Sequence, residues 1–329
     1  MAVKCPEFHS TLAPYMSDFL EQKRKMGYKY ETAALILARF DRYCIDHNLE
    51  GTTVTKEFLT EWSIKKDSEK IGNVNKRLTV ISQFFKYAIP LGLDMYIPAY
   101  RGREDNVLPH LFSEEELCDF FAEVDRNVSS VQAMNSYIRR MANEYRVLFR
   151  MYACCGLRNS EACTIKKENV DLENGILTIL NSKGNKDRVV YMPDDLTVMC
   201  KQYYEALTRN LGFRPTYFFP GMDPSLCIPN TSVDTVFTRF WSRTKYASCC
   251  NNKPTVHDFR FTFITKRMND WAKNGLPVNQ LLPYLSVYCG HKSMQETYYY
   301  YHTYKDMYDS INQKDKTSSY VIPEVRSYG

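Results

Sequence analysis

The stretch IPAYRGREDNVLPHLF, residues 97–112, splits the chain into two regions that cannot share one continuous packing pattern. It holds two prolines, a glycine and the charge run RGRED, and its apolar residues follow neither a helical nor a strand period. Proline removes a backbone donor and pushes the residue before it out of the helical region, so no regular element should run through this stretch. The chain has 329 residues, and single hydrophobic cores stop growing at roughly 250–300 residues. Two domains are therefore expected, 1–100 and 113–329, with 101–112 as the linker proper.

The first region reads as helices. Leu12, Tyr15, Met16, Phe19 and Leu20 form a stripe that Gly27 ends, and Ala34, Leu35, Leu37, Ala38 and Tyr43 form a second. Thr55 is an N-cap with Glu57 in the first turn behind it. Leu78, Ile81, Phe84, Phe85 and Ala88 line a long helix that stops at Pro90 and Gly92. Four helices with short connections predict a compact bundle. The second region is mixed. Ser113 and Glu116 have capping-box spacing, and an apolar helix ends at Gly156. NGILTILNSKGNKDRVVYMP reads as a β-hairpin, with Ile176, Thr178 and Leu180 before a turn at Gly184 and Asn185 and Val189, Val190 and Tyr191 after it. Helical patterns return at 232–247, 258–273 and 277–286.

Composition excludes more than it selects. No apolar run approaches the ~18 residues that cross a bilayer, and MAVKCPEFHSTLAPYMSDF lacks the basic-then-apolar order of a signal peptide. Eleven cysteines include no C-x-x-C pair, so they are expected to be reduced, mostly buried thiols of a cytoplasmic protein rather than zinc ligands. A net charge of +5 is compatible with a polyanionic partner and does not by itself require one.

Four clusters in the second region could carry chemistry: CGLRNSEA with Arg158 and Glu161, NSKGNKDR with Lys183, HDFR with His257 and Arg260, and CGHKS with His291. Four consecutive tyrosines, 298–301, follow the last. Each cluster alone is accounted for by solvated charge or aromatic packing. Together they suit attack on a phosphodiester. Two arginines can hold the non-bridging oxygens, histidines can donate to the phosphate or relay a proton, and a lysine can protonate the leaving alkoxide. A tyrosine surrounded by cations can be the nucleophile. Nothing in this set needs a metal or another cofactor, and the sequence has no Walker loop.

In that order, Arg, Lys in a hairpin, H-x-x-R, G-H and Tyr, the sequence resembles the tyrosine recombinases of the phage integrase family, with LSVYCGHKS most like the integrases of bacterial transposons and other integrative elements. The resemblance implies a mainly α protein: a helical, SAM-like core-binding domain, then an α+β catalytic domain with a small β-hairpin or sheet. It implies that Arg158 and Arg260 clamp the phosphate, that Glu161 supports the site, and that His257 and His291 act on the phosphate. Lys183, or failing it Lys186, would protonate the departing 5′ oxygen. The family places its nucleophile nine positions after the last histidine, which gives Tyr300, with His302 beyond it and Tyr299 and Tyr301 as rivals if the register slips. Thirty residues separate Arg260 from His291, more than in short bacterial members and as in transposon-type ones.

The resemblance further implies double-stranded DNA as substrate, a C-shaped clamp around it and a homotetramer on two duplexes. Strand exchange would run through a 3′-phosphotyrosine and a Holliday junction, to integrate or excise a mobile element, with accessory DNA-bending or directionality proteins as further partners in a bacterial nucleoid. Residues 304–329 would dock on a neighbouring protomer. In the first region Lys23, Arg24, Lys25, Asn75, Lys76, Arg77 and Lys86 are the DNA-contact candidates. Two other readings share these residues: a type IB topoisomerase, and a non-catalytic DNA-binding protein on the same fold.

Overall fold

The computed structural model of the protein describes residues 6–28, 30–67, 69–99, 109–182, 186–250 and 253–302, and within these leaves aside the side chains of Asn181, Ser182, Lys186, Tyr301 and His302. The chain divides into two compact units, Met1–Asn106 and Val107–Gly329.

The first unit is built from α1 (Ala13–Lys25), α2 (Glu31–Asp46), α3 (Lys56–Trp62) and α4 (Ile71–Ala88), with a 3₁₀ turn Ile89–Leu91 after α4. Leu12, Met16, Phe19 and Leu20 are buried, as are Leu78, Ile81, Phe84, Phe85 and Ala88. Their spacing keeps one face of each helix turned to a shared core. On α2 the buried face is Ala34, Leu37, Phe40, Asp41 and Cys44. Leu35 is exposed instead, because it stands about 100° round the helix from Ala34. Thr55 caps α3 by accepting from the Phe58 N–H at 3.2 Å. Buried Asp41 accepts from the N–H groups of His9 and Ser10 at 2.8 and 2.9 Å, which ties the entry into α1 to α2.

The second unit contains α5 (Glu114–Ser130), α6 (Ser136–Cys155) and α7 (Asn159–Thr164), then three strands, β1 (Val170–Asp171), β2 (Ile176–Ser182) and β3 (Lys186–Tyr191). After them come α8 (Asp194–Leu211), α9 (Asn230–Trp241), α10 (Val256–Lys273), α11 (Val278–Cys289) and α12 (Met294–His302). The sheet is antiparallel in the order β1-β2-β3, with Leu177 opposite Val190 and Ile179 opposite Arg188. The mainly helical architecture with a small sheet in the second unit is the fold class expected from the sequence.

Three details differ from expectation. Helix α8 is an addition to the expected elements, although Leu196, Cys200, Tyr203, Tyr204 and Leu207 give it a buried stripe. Helix α9 stops at Trp241, well before residue 247. Phe112, within the stretch read as linker, is buried in the second unit, and its N–H donates to Thr262 Oγ1 at 3.0 Å. The main core joins Phe120 of α5, Phe149 of α6, Phe237 of α9 and Phe259 of α10. Burying one such ring contributes roughly 1.5–3 kcal/mol. A smaller core joins Phe261, Ile264 and Met268 of α10 to Leu282, Leu285 and Cys289 of α11 and Tyr300 of α12.

Candidate active site

Two helix ends build the site. Helix α6 ends in Gly156 and α11 in Gly290, both left-handed at φ +62° and +64°. A helix C-terminus leaves carbonyls without intrahelical donors and carries partial negative charge. Here arginines satisfy them. Along the end of α11, Tyr288 O accepts from Arg188 Nε at 2.7 Å, Cys289 O from Arg260 Nη2 at 2.5 Å, and Gly290 O from Arg158 Nη2 at 2.7 Å. Arg260 also donates from Nη1 to Gly156 O at 2.7 Å, joining the two helix ends. Three consecutive carbonyls thus gather three guanidinium groups that the sequence places in β3, α10 and the start of α7.

Glycine has a steric role at both ends. A Cβ on Gly156 would sit 2.4 Å from the Phe263 ring, and one on Gly290 would sit 2.9 Å from Arg188 Nη1. Glu161 completes the cluster. It accepts from the Arg158 N–H at 2.9 Å and from Arg158 Nη1 at 2.8 Å, and from Arg188 Nη1 and Nη2 at 2.9 and 2.7 Å. Burial pushes its pKa up, but the hydrogen bonds and charges of Arg188 and Arg158 outweigh that and hold it at about 2.

His291 and Tyr300 lie against this cluster. The His291 Nδ1 is 2.7 Å from Thr297 Oγ1, and its ring stacks on that of Tyr300 with centroids 5.5 Å apart and planes at 14°. Thr297 and Tyr300 are one turn apart on α12, so both meet the same imidazole. Burial and the charges of Arg260 and Arg158 lower the His291 pKa to about 4, so its ring is neutral at pH 7. Burial raises the Tyr300 pKa, while Arg260 pulls it down by charge and by hydrogen bonding. The phenol is therefore protonated at pH 7, with a guanidinium placed to stabilise its anion.

Within the tyrosine run, Tyr300 is 7% exposed and packs on Phe261 at 4.3 Å between centroids, whereas Tyr299 is 45% exposed. Tyr298 is half-buried against the smaller core. The sequence-predicted residues Arg158, Glu161, Arg260, His291 and Tyr300 are thus brought together. His257 stands exposed in the first turn of α10, one turn ahead of Arg260. Lys183, the side chains of Lys186, Tyr301 and His302, and the tail 304–329 lie outside the described residues. Arg188 joins the site without having been expected there. Its signal is the strand period: it shares a face with Val190 and Met192, both buried, so a charge there must be paired.

In the first unit Lys25 pairs with Glu21 at 2.7 Å, and Lys23 lies over the Phe19 ring at 5.4 Å. Arg24 and Asn75 are half-buried, and Lys76 and Lys86 are exposed. Arg77 is different. Its guanidinium holds Glu69 at 2.8 Å, the carbonyls of Trp62 and Ile64, and the face of the Trp62 indole, so it serves the packing of this unit. Among the described residues, one grouping could hold a metal ion: His110, Glu116 and Cys250, with ligand atoms within 4.8 Å of one another. Glu116 there already accepts from the Ser113 N–H at 2.8 Å in the α5 capping box, and the grouping is not part of the arginine cluster. No helix among the described residues is long and apolar enough to cross a membrane.

Comparison with known proteins bears on the family and the fold. The model of the phage integrase family matches residues 127–307, more than half of the chain. A putative integrase/recombinase of Sinorhizobium fredii, y4rB, is 23% identical over 88% of this chain and 92% of its own length. Among solved structures, the Tn1549 transposon integrase in complex with a circular intermediate DNA is similar with a TM-score of 0.61 at 14% identity, covering 92% of this chain and 99% of that one. A lambda integrase tetramer bound to a Holliday junction is similar with a TM-score of 0.55 at 15% identity, covering 87% of this chain and 78% of that one. The chain belongs to the phage integrase family and is a tyrosine-type site-specific recombinase.

Proposed function

We propose that the recombinase cuts DNA with Tyr300. The phenol oxygen attacks the scissile phosphorus, the bond from phosphorus to the 5′ oxygen breaks, and a 3′-phosphotyrosyl ester forms. The phenolic proton passes to a base at the site, and Lys183 of the hairpin returns one to the 5′ oxygen. Arg158 and Arg260 hold the non-bridging oxygens, with His291 and His257 donating hydrogen bonds. The ester keeps the energy of the broken bond, so attack by the 5′ hydroxyl of a partner duplex reseals the strand without ATP. Two such rounds pass through a Holliday junction in a tetramer, and by analogy with the transposon integrase the outcome is movement of a genetic element. The first unit is read as the core-binding domain and the tail 304–329 as the contact to a neighbouring protomer.

The observation that carries this reading is the stack of His291 on Tyr300 beside Arg260, which puts one phenol, and not its exposed neighbour Tyr299, against the cations. The test is covalent trapping on a nicked suicide duplex carrying the element's end sequence. Wild type and Tyr299→Phe should become attached, and Tyr300→Phe should not. Attachment that survives in Tyr300→Phe would move the nucleophile to another residue.

A further inference from the structure

Arg188 has no part in the reaction as proposed, yet it is a buried charge held by several partners. Its side chain is 5% exposed, and its Nε, Nη1 and Nη2 are all engaged inside the protein rather than turned to a DNA phosphate. Its fork spans both oxygens of Glu161 at 2.9 and 2.7 Å, and its Nε donates to Tyr288 O at 2.7 Å. The absent side chain of Gly290 leaves the space its Nη1 occupies. The same carboxylate grips Arg158 through Nη1 and through the backbone N–H. One negative charge is therefore shared between two guanidinium groups.

The sharing has a consequence for catalysis. A carboxylate that faced Arg158 alone would fix its position and also cancel its charge. An ion-paired arginine stabilises a developing phosphorane charge far less than one with net charge, because the pocket is desolvated and the opposing fields subtract. We propose that Arg188 is a positioning residue that balances Glu161, so that Glu161 orients Arg158 while Arg158 keeps a net positive charge for the DNA phosphate. Because Arg188 lies on β3, its ion pair ties that strand to α7, and its Nε bond to Tyr288 O ties it to the end of α11, just ahead of His291. Lysine could supply the charge but not a planar fork with a third donor. The inference rests on the pocket cleaving DNA as proposed above.

The experiment compares single-turnover attachment to the nicked suicide duplex for the full chain, with thermal melts of every variant. Arg188→Met keeps the bulk and removes the charge, and it should slow attachment roughly 10–100-fold. Adding Glu161→Gln removes the charge that then neutralises Arg158, and the double variant should recover about tenfold over Arg188→Met. A merely structural Arg188 predicts the reverse, since the second substitution deletes further hydrogen bonds. A double variant no faster than Arg188→Met, or an Arg188→Met as fast as wild type, overturns the proposal. If the melts show Arg188→Met unfolded, Arg188→Lys carries the test. Retaining the charge, it should stay within about fivefold of wild type, and a loss as deep as that of Arg158→Ala sinks the idea. Wild type that never becomes attached would refute the Tyr300 chemistry, and this inference with it. Attachment by wild type without the Glu161→Gln recovery refutes the role of Arg188 alone.

Discussion

The contact between Thr297 and His291 decides what the imidazole can offer. Neutral imidazole has one N–H and one bare nitrogen, and Thr297 Oγ1 at 2.7 Å from Nδ1 can fix which is which. If the hydroxyl donates to Nδ1, the proton stays on Nε2, available for a phosphate oxygen. Thr297→Val keeps the shape and removes the hydroxyl, leaving a buried nitrogen unpaired at a cost of about 1–3 kcal/mol. Attachment should slow while Tyr300 remains the attachment point, as peptide mapping of the residual adduct would check. Acid should weaken the same cluster. Unfolded His291 titrates at its ordinary 6.5 and folded His291 at about 4, so between those values the unfolded chain binds the extra proton. The stability supplied by neutral His291 is full above pH 6.5 and falls as pH drops toward 4. Glu161 adds a second loss, from 4.5 down through about 2. His291→Gln should flatten the fall in melting temperature between pH 6.5 and 4.5, and an unchanged slope would show that other groups set it.

The helix ends explain why two glycines matter more than the others. Gly156 closes α6 at φ +62° and offers its carbonyl to Arg260. In Gly156→Ala the left-handed conformation alone costs about 1–2 kcal/mol, and the new methyl meets Phe263. Turning the residue to relieve either strain swings the carbonyl away from Arg260. The melting temperature should fall by several degrees and attachment should slow further than stability explains; a variant that melts early yet attaches at the wild-type rate would separate the cap from the site. Much of this is legible in the sequence. Gly156 marks the end of α6, and Ser113 with Glu116 marks the start of α5, where the capping box forms, whereas the expected 277–286 pattern stops short of the α11 end at Gly290. Phe84 and Phe85 are legible as core because large apolar residues recurring every 3.6 positions mark the buried face of a helix. Helix α8 is harder to see because between Leu196 and Leu207 its stripe is written in cysteine and tyrosine rather than branched aliphatics. That three arginines cap one helix end is not legible, since Arg188, Arg260 and Arg158 approach α11 from three separate elements, a tertiary fact that local spacing cannot carry.

At the scale of the molecule, a net charge of +5 is divided between cations that face water and cations that hold the fold, and one helix of the first unit carries both kinds. In NVNKRLTVISQFFK, Lys76 and Lys86 are exposed, while the Arg77 guanidinium is committed to Glu69, Trp62 and Ile64. Adjacent positions on a helix point about 100° apart, so neighbours of like charge can face water and core. If the lysines touch phosphates, each releases counterions on binding and contributes about 0.9 to the slope of log affinity against log salt. Lys76→Ala with Lys86→Ala should therefore lower that slope by about 1.8, weaken binding alike for all DNA sequences, and leave the attachment rate at saturating DNA unchanged. Arg77→Ala should do the opposite, lowering the melting temperature of the first unit with little effect on the slope, because it leaves the Glu69 carboxylate and two carbonyls without their donor. Fluorescence anisotropy over a salt series, paired with thermal melts, measures both. A lysine pair whose loss changes only stability, or an Arg77→Ala that flattens the salt slope and melts as wild type, would reverse which cations of this helix meet DNA.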